Sequence, residues 1–193
     1  MQEMLYEESA KCQNEKKESK IFKILLTFSI ISFAFSMVGF FILINFMNLN
    51  DYWLFNVIIY VLPIIFFLAM GIFLIKFKNR FCVDYDYIFV TGSIRVSKVI
   101  NNALRQTIYR FNCSQIEKIG PTDSKTFKAY LNSNLCKIEL LTSNEQPQEG
   151  KDFYYFIINY NNEKKLLIFE CSKVFLINVL KYSNRSIRDE ELK

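Results

Sequence analysis

Two long apolar runs, separated by a short polar break, most constrain what this chain can fold into. The first run covers residues 24–44 and the second covers residues 53–75, and neither contains a charged residue. About 20 apolar residues in a helix cross the roughly 30 Å hydrocarbon layer of a bilayer. The runs therefore predict a transmembrane hairpin over 24–75, with an outer turn at 45–52.

Basic residues lie beside both runs: Lys20 and Lys23 precede the first, and Lys76, Lys78 and Arg80 follow the second. Because lysine and arginine near span ends favour the cytoplasmic side, we predict a multi-pass protein of the cell membrane with both termini cytoplasmic. The alternative for the first run is a cleaved signal peptide, which would need an apolar region of only about 7 to 15 residues and a small-residue cleavage site. Neither is present, so the sequence favours an uncleaved hairpin.

The rest of the chain divides into two unequal parts. Residues 1–23 are rich in charged and polar side chains, and they have too little apolar surface to form a core. We expect a mobile cytoplasmic tail there. Residues 79–193 mix polar and apolar side chains and have the length of an ordinary small domain, which predicts a cytoplasmic domain after the hairpin.

Small and polar side chains recur at helical spacing in both apolar runs. Small residues let membrane helices approach closely, and serine can donate a hydrogen bond across the contact, so these two stripes predict helix packing or self-association. In the alternative interpretation each serine bonds to its own helix and the asparagine lies near the lipid headgroups. The stripes are Ser29, Ser32, Ser36 and Gly39 in the first run, and Asn56, Tyr60 and Pro63 in the second.

Beyond Arg80, apolar residues alternate with polar ones, as in strands with one buried face. Ser172 is placed to cap a final amphipathic helix that ends near Tyr182. Because both faces of 153–160 are apolar, we expect that helix to cover one of them. Strands are predicted at 81–90, from 94, and at 105–111, 126–131, 135–142, 152–160 and 164–170, with a short helical turn at 112–119.

This order of elements is typical of one fold class. About seven antiparallel strands followed by one helix indicate an α+β, mainly-β domain, a pleckstrin-homology-like (PH-like) barrel or sandwich capped by its C-terminal helix. The fold class predicted for the whole chain is therefore a membrane α hairpin of two transmembrane helices joined to a PH-like soluble domain.

Several stretches of the domain resemble a known family; they are Val83–Ile94, Lys98–Ile100, Ile116–Pro121 and Lys164–Glu170. Together they look like an uncharacterised bacterial domain-of-unknown-function family. Its members carry a membrane hairpin ahead of a small β-rich domain, which is similar to bacterial PH-like domains. The resemblance implies this fold and brings no catalytic or binding residues with it.

The composition argues against most catalytic and metal chemistry. The chain has no histidine, and its 5 cysteines are scattered, so the commonest general base and the usual zinc-finger spacings are missing. Its 5 glycines form no phosphate-binding motif. We therefore expect a non-enzymatic protein without a cofactor or a metal. Nucleic acid is not an expected partner, because the net charge is only +5.

Three functions stay open. The domain could recruit a protein or peptide at the inner leaflet. The protein could instead be an accessory subunit of a larger membrane complex, held through the small-residue stripe. A third function is sensing of anionic lipid, since anionic headgroups attract nearby basic residues by about 1 kcal/mol each, although the same residues serve simple topology signalling. The candidate headgroup contacts are Lys20, Lys23, Lys76, Lys78 and Arg80.

Overall fold

The computed structural model describes residues 4–46, 53–133, 136–183, 185–189 and 191–192. The chain forms two compact units. One unit is Asn14–Cys82, and the other combines Met1–Gln13 with Val83–Lys193. The hairpin therefore interrupts the β-rich unit near its N-terminus.

The first unit is helical. Its elements are α1 (Glu15–Phe46), α2 (Trp53–Asn56), a π-helical turn (Val57–Val61) and α3 (Leu62–Lys78). Two stretches, Glu15–Asn45 and Val57–Lys78, are long and apolar enough to cross a membrane, with mean hydropathies of 2.2 and 2.9. Large apolar side chains are exposed along both, which suits a surface that faces lipid. Most of the predicted outer turn lies outside the described residues.

The π-helical turn lies just before Pro63, and a proline inside a helix is expected to kink it. Proline has no N–H group to donate to the carbonyl four residues earlier. The five residues Val57–Val61 form the widened turn. Such local widening gives the freed carbonyls other partners, which matters where water is absent.

Among the residues that the structure describes, the β-rich unit contains two four-stranded sheets and two α-helices. The first sheet has the order β1-β2-β3-β4, and the second has the order β5-β7-β8-β6. Neither sheet closes into a barrel. The elements are β1 (Leu5–Ala10), β2 (Val83–Val90), β3 (Ser93–Ile100), β4 (Leu104–Asn112), β5 (Ile116–Pro121), α4 (Lys125–Ser133), β6 (Lys137–Leu140), β7 (Lys151–Tyr160), β8 (Glu163–Ser172) and α5 (Lys173–Tyr182).

The N-terminal segment differs from the predicted mobile tail. Leu5–Ala10 form β1, which pairs antiparallel with β2 from Leu5↔Val90 to Ala10↔Tyr85. Ala10 is fully buried. The chain thus leaves the first sheet at the end of β1 and returns to it at the start of β2, so the helical unit is inserted between two neighbouring strands.

The prediction of a helical turn at 112–119 is wrong for most of that segment. A 3₁₀ turn occupies only Cys113–Gln115, and β5 follows. Ile116 and Ile119 are three residues apart, which would place them on opposite faces of a regular strand. The pairing of β5 with β7 shifts register between Ile116 and Lys118. This bulge turns both isoleucines into the same core.

Two further predictions in this region are wrong. Residues 126–131 were expected as a strand but belong to α4, which Ser124 stabilises by accepting a hydrogen bond from the Phe127 N–H at 3.1 Å. Phe127, Tyr130 and Leu131 follow helical spacing, but the segment 126–131 is too short to distinguish this spacing from the alternation of a strand. The strand β6 runs parallel to β8 rather than antiparallel, because α4 carries the chain across the sheet before β6 begins.

The main core lies between the two sheets, and its largest fully buried side chains are aromatic. Phe89 and Phe156 come from opposite sheets, and Phe175 of α5 packs beside them. Ser172 caps α5 as predicted, accepting a hydrogen bond from the Phe175 N–H at 3.3 Å. Since α5 covers the core between the sheets, the outer face of the second sheet needs a different cover. That cover is α4, whose Phe127 stacks on Tyr155.

Candidate functional site

The predicted small-residue stripe lies along the contact between α1 and α3. The Ser32 hydroxyl donates to the Phe67 carbonyl of α3 at 2.6 Å, and Ser36 donates to the Ile64 carbonyl at 3.3 Å. Ser29 instead donates to Leu26 of its own helix. All three serines are buried. Ser32 and Ser36 bond across the helix contact, as in the first interpretation, and Ser29 bonds to its own helix, as in the alternative.

The other members of the two stripes differ in what surrounds them. A Cβ atom added to Gly39 would lie 2.9 Å from Cγ1 of Ile64, so the glycine allows α1 and α3 to approach. Tyr60 is half-buried in the π-helical turn. Asn56 belongs to α2, but its side chain lies outside the described part of the structure.

Replacing both Ser32 and Ser36 with leucine should separate α1 from α3. Leucine is larger than serine and has no hydroxyl to donate, so the two hydrogen bonds to α3 carbonyls are lost where the helices approach. We expect disulfide formation between Gly39→Cys and Ile64→Cys to fall about fivefold or more in membranes. The readout is whether the two halves stay joined after cleavage of a protease site placed in the outer turn.

Thr27→Leu is the matched control, because Thr27 is exposed and donates only to Lys23 of its own helix. Unchanged crosslinking in the Ser32→Leu/Ser36→Leu protein would contradict the prediction.

The predicted basic cluster surrounds the ends of α1 and α3. Lys20, Lys23, Lys76 and Arg80 are exposed, whereas Lys78 is half-buried, with its ammonium 4.7 Å from the centre of the Phe22 ring. None of these five forms an ion pair with another described residue.

An open cleft lies on the outer face of the second sheet, beside α4. Phe153 and Ile168 come from neighbouring strands, and Phe127 of α4 and Leu140 of β6 complete the apolar part, a cavity of about 460 Å³. A second cavity of about 480 Å³ continues it toward Asp123, Glu145 and Asp152. The two cavities share Thr122, Glu145 and Phe153. We call this combined surface the α4 cleft.

The loop after β6 supplies one wall of the α4 cleft, and a buried carboxylate holds that loop. Glu170 is fully buried. It accepts hydrogen bonds from the Thr142 hydroxyl, from Asn144 Nδ2 at 2.8 Å and from the Gln148 N–H at 2.9 Å. Asn144 also donates to the Lys11 carbonyl at 2.8 Å. Glu170 thus positions the loop against the segment that follows β1.

Tyr109, Glu139 and Lys165 join the two sheets. The Tyr109 hydroxyl donates to Glu139, and Lys165 lies 3.1 Å from the Tyr109 hydroxyl and 3.5 Å from Glu139. Partial burial raises the pKa of Glu139, but the hydrogen bond from Tyr109 and the charge of Lys165 outweigh this effect, so the pKa is lowered overall. The arrangement favours charged Glu139 and Lys165 with neutral Tyr109, which suits a structural link.

Asp189 holds the C-terminal segment against β5 and α4. The carboxylate accepts from the Tyr155 hydroxyl at 2.6 Å and from the Thr126 hydroxyl at 3.0 Å. Burial raises the pKa of Asp189, but hydrogen bonds from Tyr155, Ser124 and Thr126 outweigh it and lower the pKa overall. Gly120 makes room for this contact, since a Cβ there would lie 2.7 Å from the Asp189 carboxylate.

These two lowered pKa values predict how the stability of the β-rich unit depends on pH. A carboxylate with a lowered folded-state pKa stabilises the fold fully above its unfolded pKa, and this contribution is lost as the pH falls through the folded value. The ordinary pKa values are 4.5 for glutamate and 3.8 for aspartate. Thermal stability should therefore decline below about pH 4.5.

Asp189→Asn tests this prediction, because the amide has no charge to lose. The variant should melt at a lower temperature at pH 7 and lose less further stability between about pH 5 and pH 3 than the native chain does. Glu163→Gln, at an exposed position, is the control. An acid profile of Asp189→Asn that parallels the native profile would contradict the assignment.

The α4 cleft is the part of the site that the sequence prediction missed. Its residues come from α4, from four strands and from two connecting segments, so they form no local motif. One signal was present: both faces of β7 are apolar. Because the segment that forms α4 was predicted as a strand, the sequence did not show how much of the outer face would stay uncovered.

One family model matches nearly the whole chain. The model, DUF6106, is described as a bacterial PH-like domain and matches residues 2–189. Comparisons with curated proteins and with solved structures gave no match. The matched range includes β1, both apolar helices and the C-terminal segment through Asp189. The chain therefore belongs to the DUF6106 family of bacterial PH-like domains, in agreement with the resemblance found in its sequence.

Proposed function

We propose that this protein is a non-enzymatic membrane anchor, in which a two-helix hairpin holds a PH-like domain at the inner leaflet of the cell membrane to recruit a protein or peptide. The position of the hairpin between β1 and β2 carries this proposal. Neighbouring strands of one sheet share a compartment, so both ends of the hairpin must lie on the same side of the membrane. Two crossings satisfy that requirement.

The basic residues support the cytoplasmic side. Lys20 and Lys23 precede the apolar part of α1, and Lys76, Lys78 and Arg80 follow that of α3, which matches the cytoplasmic preference of lysine and arginine. Tethering by short segments raises the effective concentration of the domain at the membrane surface. A binding partner there would meet the domain far more often than in free solution.

Reporter fusions test the anchoring. Alkaline phosphatase inserted at 47–52 should be active, because that enzyme folds only outside the cytoplasm, and green fluorescent protein at the C-terminus should fluoresce. The reverse pattern would refute the cytoplasmic assignment. Partner recruitment is tested by purifying the full-length protein from its native membrane in mild detergent and identifying what accompanies it in stoichiometric amount.

Sensing of anionic lipid is a second candidate, favoured by the four exposed members of the basic cluster. Native mass spectrometry of the full-length protein should then show retained anionic lipid and little zwitterionic lipid. Lys76→Gln/Arg80→Gln should reduce that retention, whereas Lys181→Gln, at an exposed residue of α5, should not. Equal retention of both lipid classes would refute this function.

An accessory-subunit function receives less support from the same geometry. Ser32 and Ser36 donate to α3 of their own hairpin, so that surface is occupied within the chain. Stoichiometric recovery of an integral membrane partner would nevertheless favour it, with contacts on the outer faces of the hairpin.

A further inference from the structure

The α4 cleft exists because the second sheet has two apolar faces and only one is fully covered. The inner face packs in the main core, and α4 covers only part of the outer face. Beyond α4, Leu140 and Ile138 of the edge strand β6 stay exposed, at 62% and 41%. An uncovered apolar patch on a folded domain is typical of an interaction surface.

The charge of the α4 cleft is opposite to that of the chain. Asp123, Glu145 and Asp152 line it, and no lysine or arginine does so among the described residues. None of the three carboxylates forms an ion pair with a described residue. Since the whole chain carries a net charge of +5, the negative potential here is local and stays available to a cationic ligand.

The size and position of the cleft favour a peptide. Each of its two cavities, about 460 and 480 Å³, has the volume of a pocket for a drug-sized ligand, and the apolar cavity leads directly into the acidic one. In the described part of the second sheet β6 pairs only with β8, so its outer edge offers backbone groups to an extended chain. A lipid phosphate or a phosphopeptide would instead meet like charge.

We propose that the α4 cleft binds an extended segment of a partner protein in which an apolar side chain lies next to lysine or arginine. The apolar side chain packs between Phe127, Leu140 and Phe153, and the cation lies near Glu145 and Asp152. This inference rests on the proposed role of the domain in recruitment and gives the chemistry of what is recruited.

Fluorescence anisotropy on the full-length protein in an uncharged maltoside detergent tests the proposal. The probes are labelled nine-residue peptides containing Arg-Leu-Arg-Phe-Arg, in several registers between Gly and Ser residues. Two matched sets replace every Arg with Glu, or Leu and Phe with Ser. We expect saturable binding of the basic apolar set, and affinity at least about 10-fold weaker for each matched set.

Variants of the cleft locate the binding. Glu145→Gln/Asp152→Asn should weaken binding about 10-fold, and Leu140→Ser should weaken it without changing its salt dependence. Glu149→Gln is the control, because Glu149 is an exposed residue of the same loop that does not line the cleft. Melting temperatures verify that all variants are folded.

Three results would overturn the inference: no saturable binding by any basic apolar peptide, equal affinity for the glutamate set, or unchanged affinity in Glu145→Gln/Asp152→Asn. A soluble partner recovered from native membranes that still binds the variant would refute the cleft as the site while leaving recruitment intact. Inverted reporter fusions would refute the anchoring and leave peptide binding unaffected.

Discussion

Replacing Glu170 with alanine is expected to lower the melting temperature of the full-length protein by roughly 10 °C or more. The carboxylate is fully buried and accepts from Thr142, Asn144 and the Gln148 N–H. Alanine leaves these donors without their acceptor. A buried donor left without a hydrogen-bond partner costs about 1–3 kcal/mol. We therefore expect a total loss of about 3–5 kcal/mol in the free energy of unfolding.

The native cysteines provide the measurement. Cys113 and Cys171 are buried at 2% and 0% exposure, so a thiol-reactive dye reports their exposure as the β-rich unit melts. Glu170→Gln should lie between alanine and the native chain, because the amide keeps one acceptor oxygen. Glu149→Gln, on the exposed part of the same loop, should change the melting temperature little. Equal melting of Glu170→Ala and the native chain would show that the loop network does not stabilise the fold.

Replacing Glu8 with alanine is expected to have the second large effect. The Glu8 side chain is 8% exposed and lies 3.7 Å from the Lys151 ammonium. It also accepts from the Ser172 N–H at 2.9 Å and from the Ser172 hydroxyl at 2.8 Å. Breaking a buried ion pair by removing one partner typically costs about 3–5 kcal/mol. Because these contacts join β1 to β7 and β8, the loss should loosen the whole N-terminal strand.

The neighbouring residue gives a matched control. Glu7 lies on the same strand, but its side chain is 50% exposed and its distance to Arg105 is 3.9 Å. An exposed pair of this kind contributes about 0–1 kcal/mol. We therefore expect Glu7→Ala to melt close to the native chain and Glu8→Ala to melt well below it in the same dye assay. Equal losses in the two variants would mean that β1 contributes through backbone pairing alone.

The fold was predictable where a pattern is local. The continuous apolar runs needed no partner to be recognised as helices long enough to cross a membrane, and the alternation in β2 identified a strand directly. The Ser172 cap has its signal within four residues. Each of these features depends on neighbours in the sequence, so the chain's own periodicity was sufficient evidence.

The misses share a different cause, which is dependence on distant residues. The segment Leu5–Ala10 carries two glutamates and looks like a solvated tail, and only its pairing with β2 makes it a strand of the sheet. The bulge in β5 exists only against β7, and the α4 cleft exists only where α4 fails to cover a sheet whose strands come later in the chain. The candidate site was therefore beyond local pattern analysis, although the two apolar faces of β7 indicated its presence.

The interrupted first sheet has a consequence for biosynthesis. β1 is synthesised before its partner β2, which follows only after both apolar helices. In the proposed topology, β1 therefore stays unpaired with β2 until the hairpin has entered the membrane. If only one helix inserted across the bilayer, β1 and β2 would lie in different compartments and the sheet would lack its first strand. Glu8 could then not reach Lys151 and Ser172, and the β-rich unit would be left destabilised and open to proteolysis. In the proposed topology, completion of this sheet therefore requires correct insertion of the hairpin, and it couples survival of the β-rich unit to the topology of its anchor.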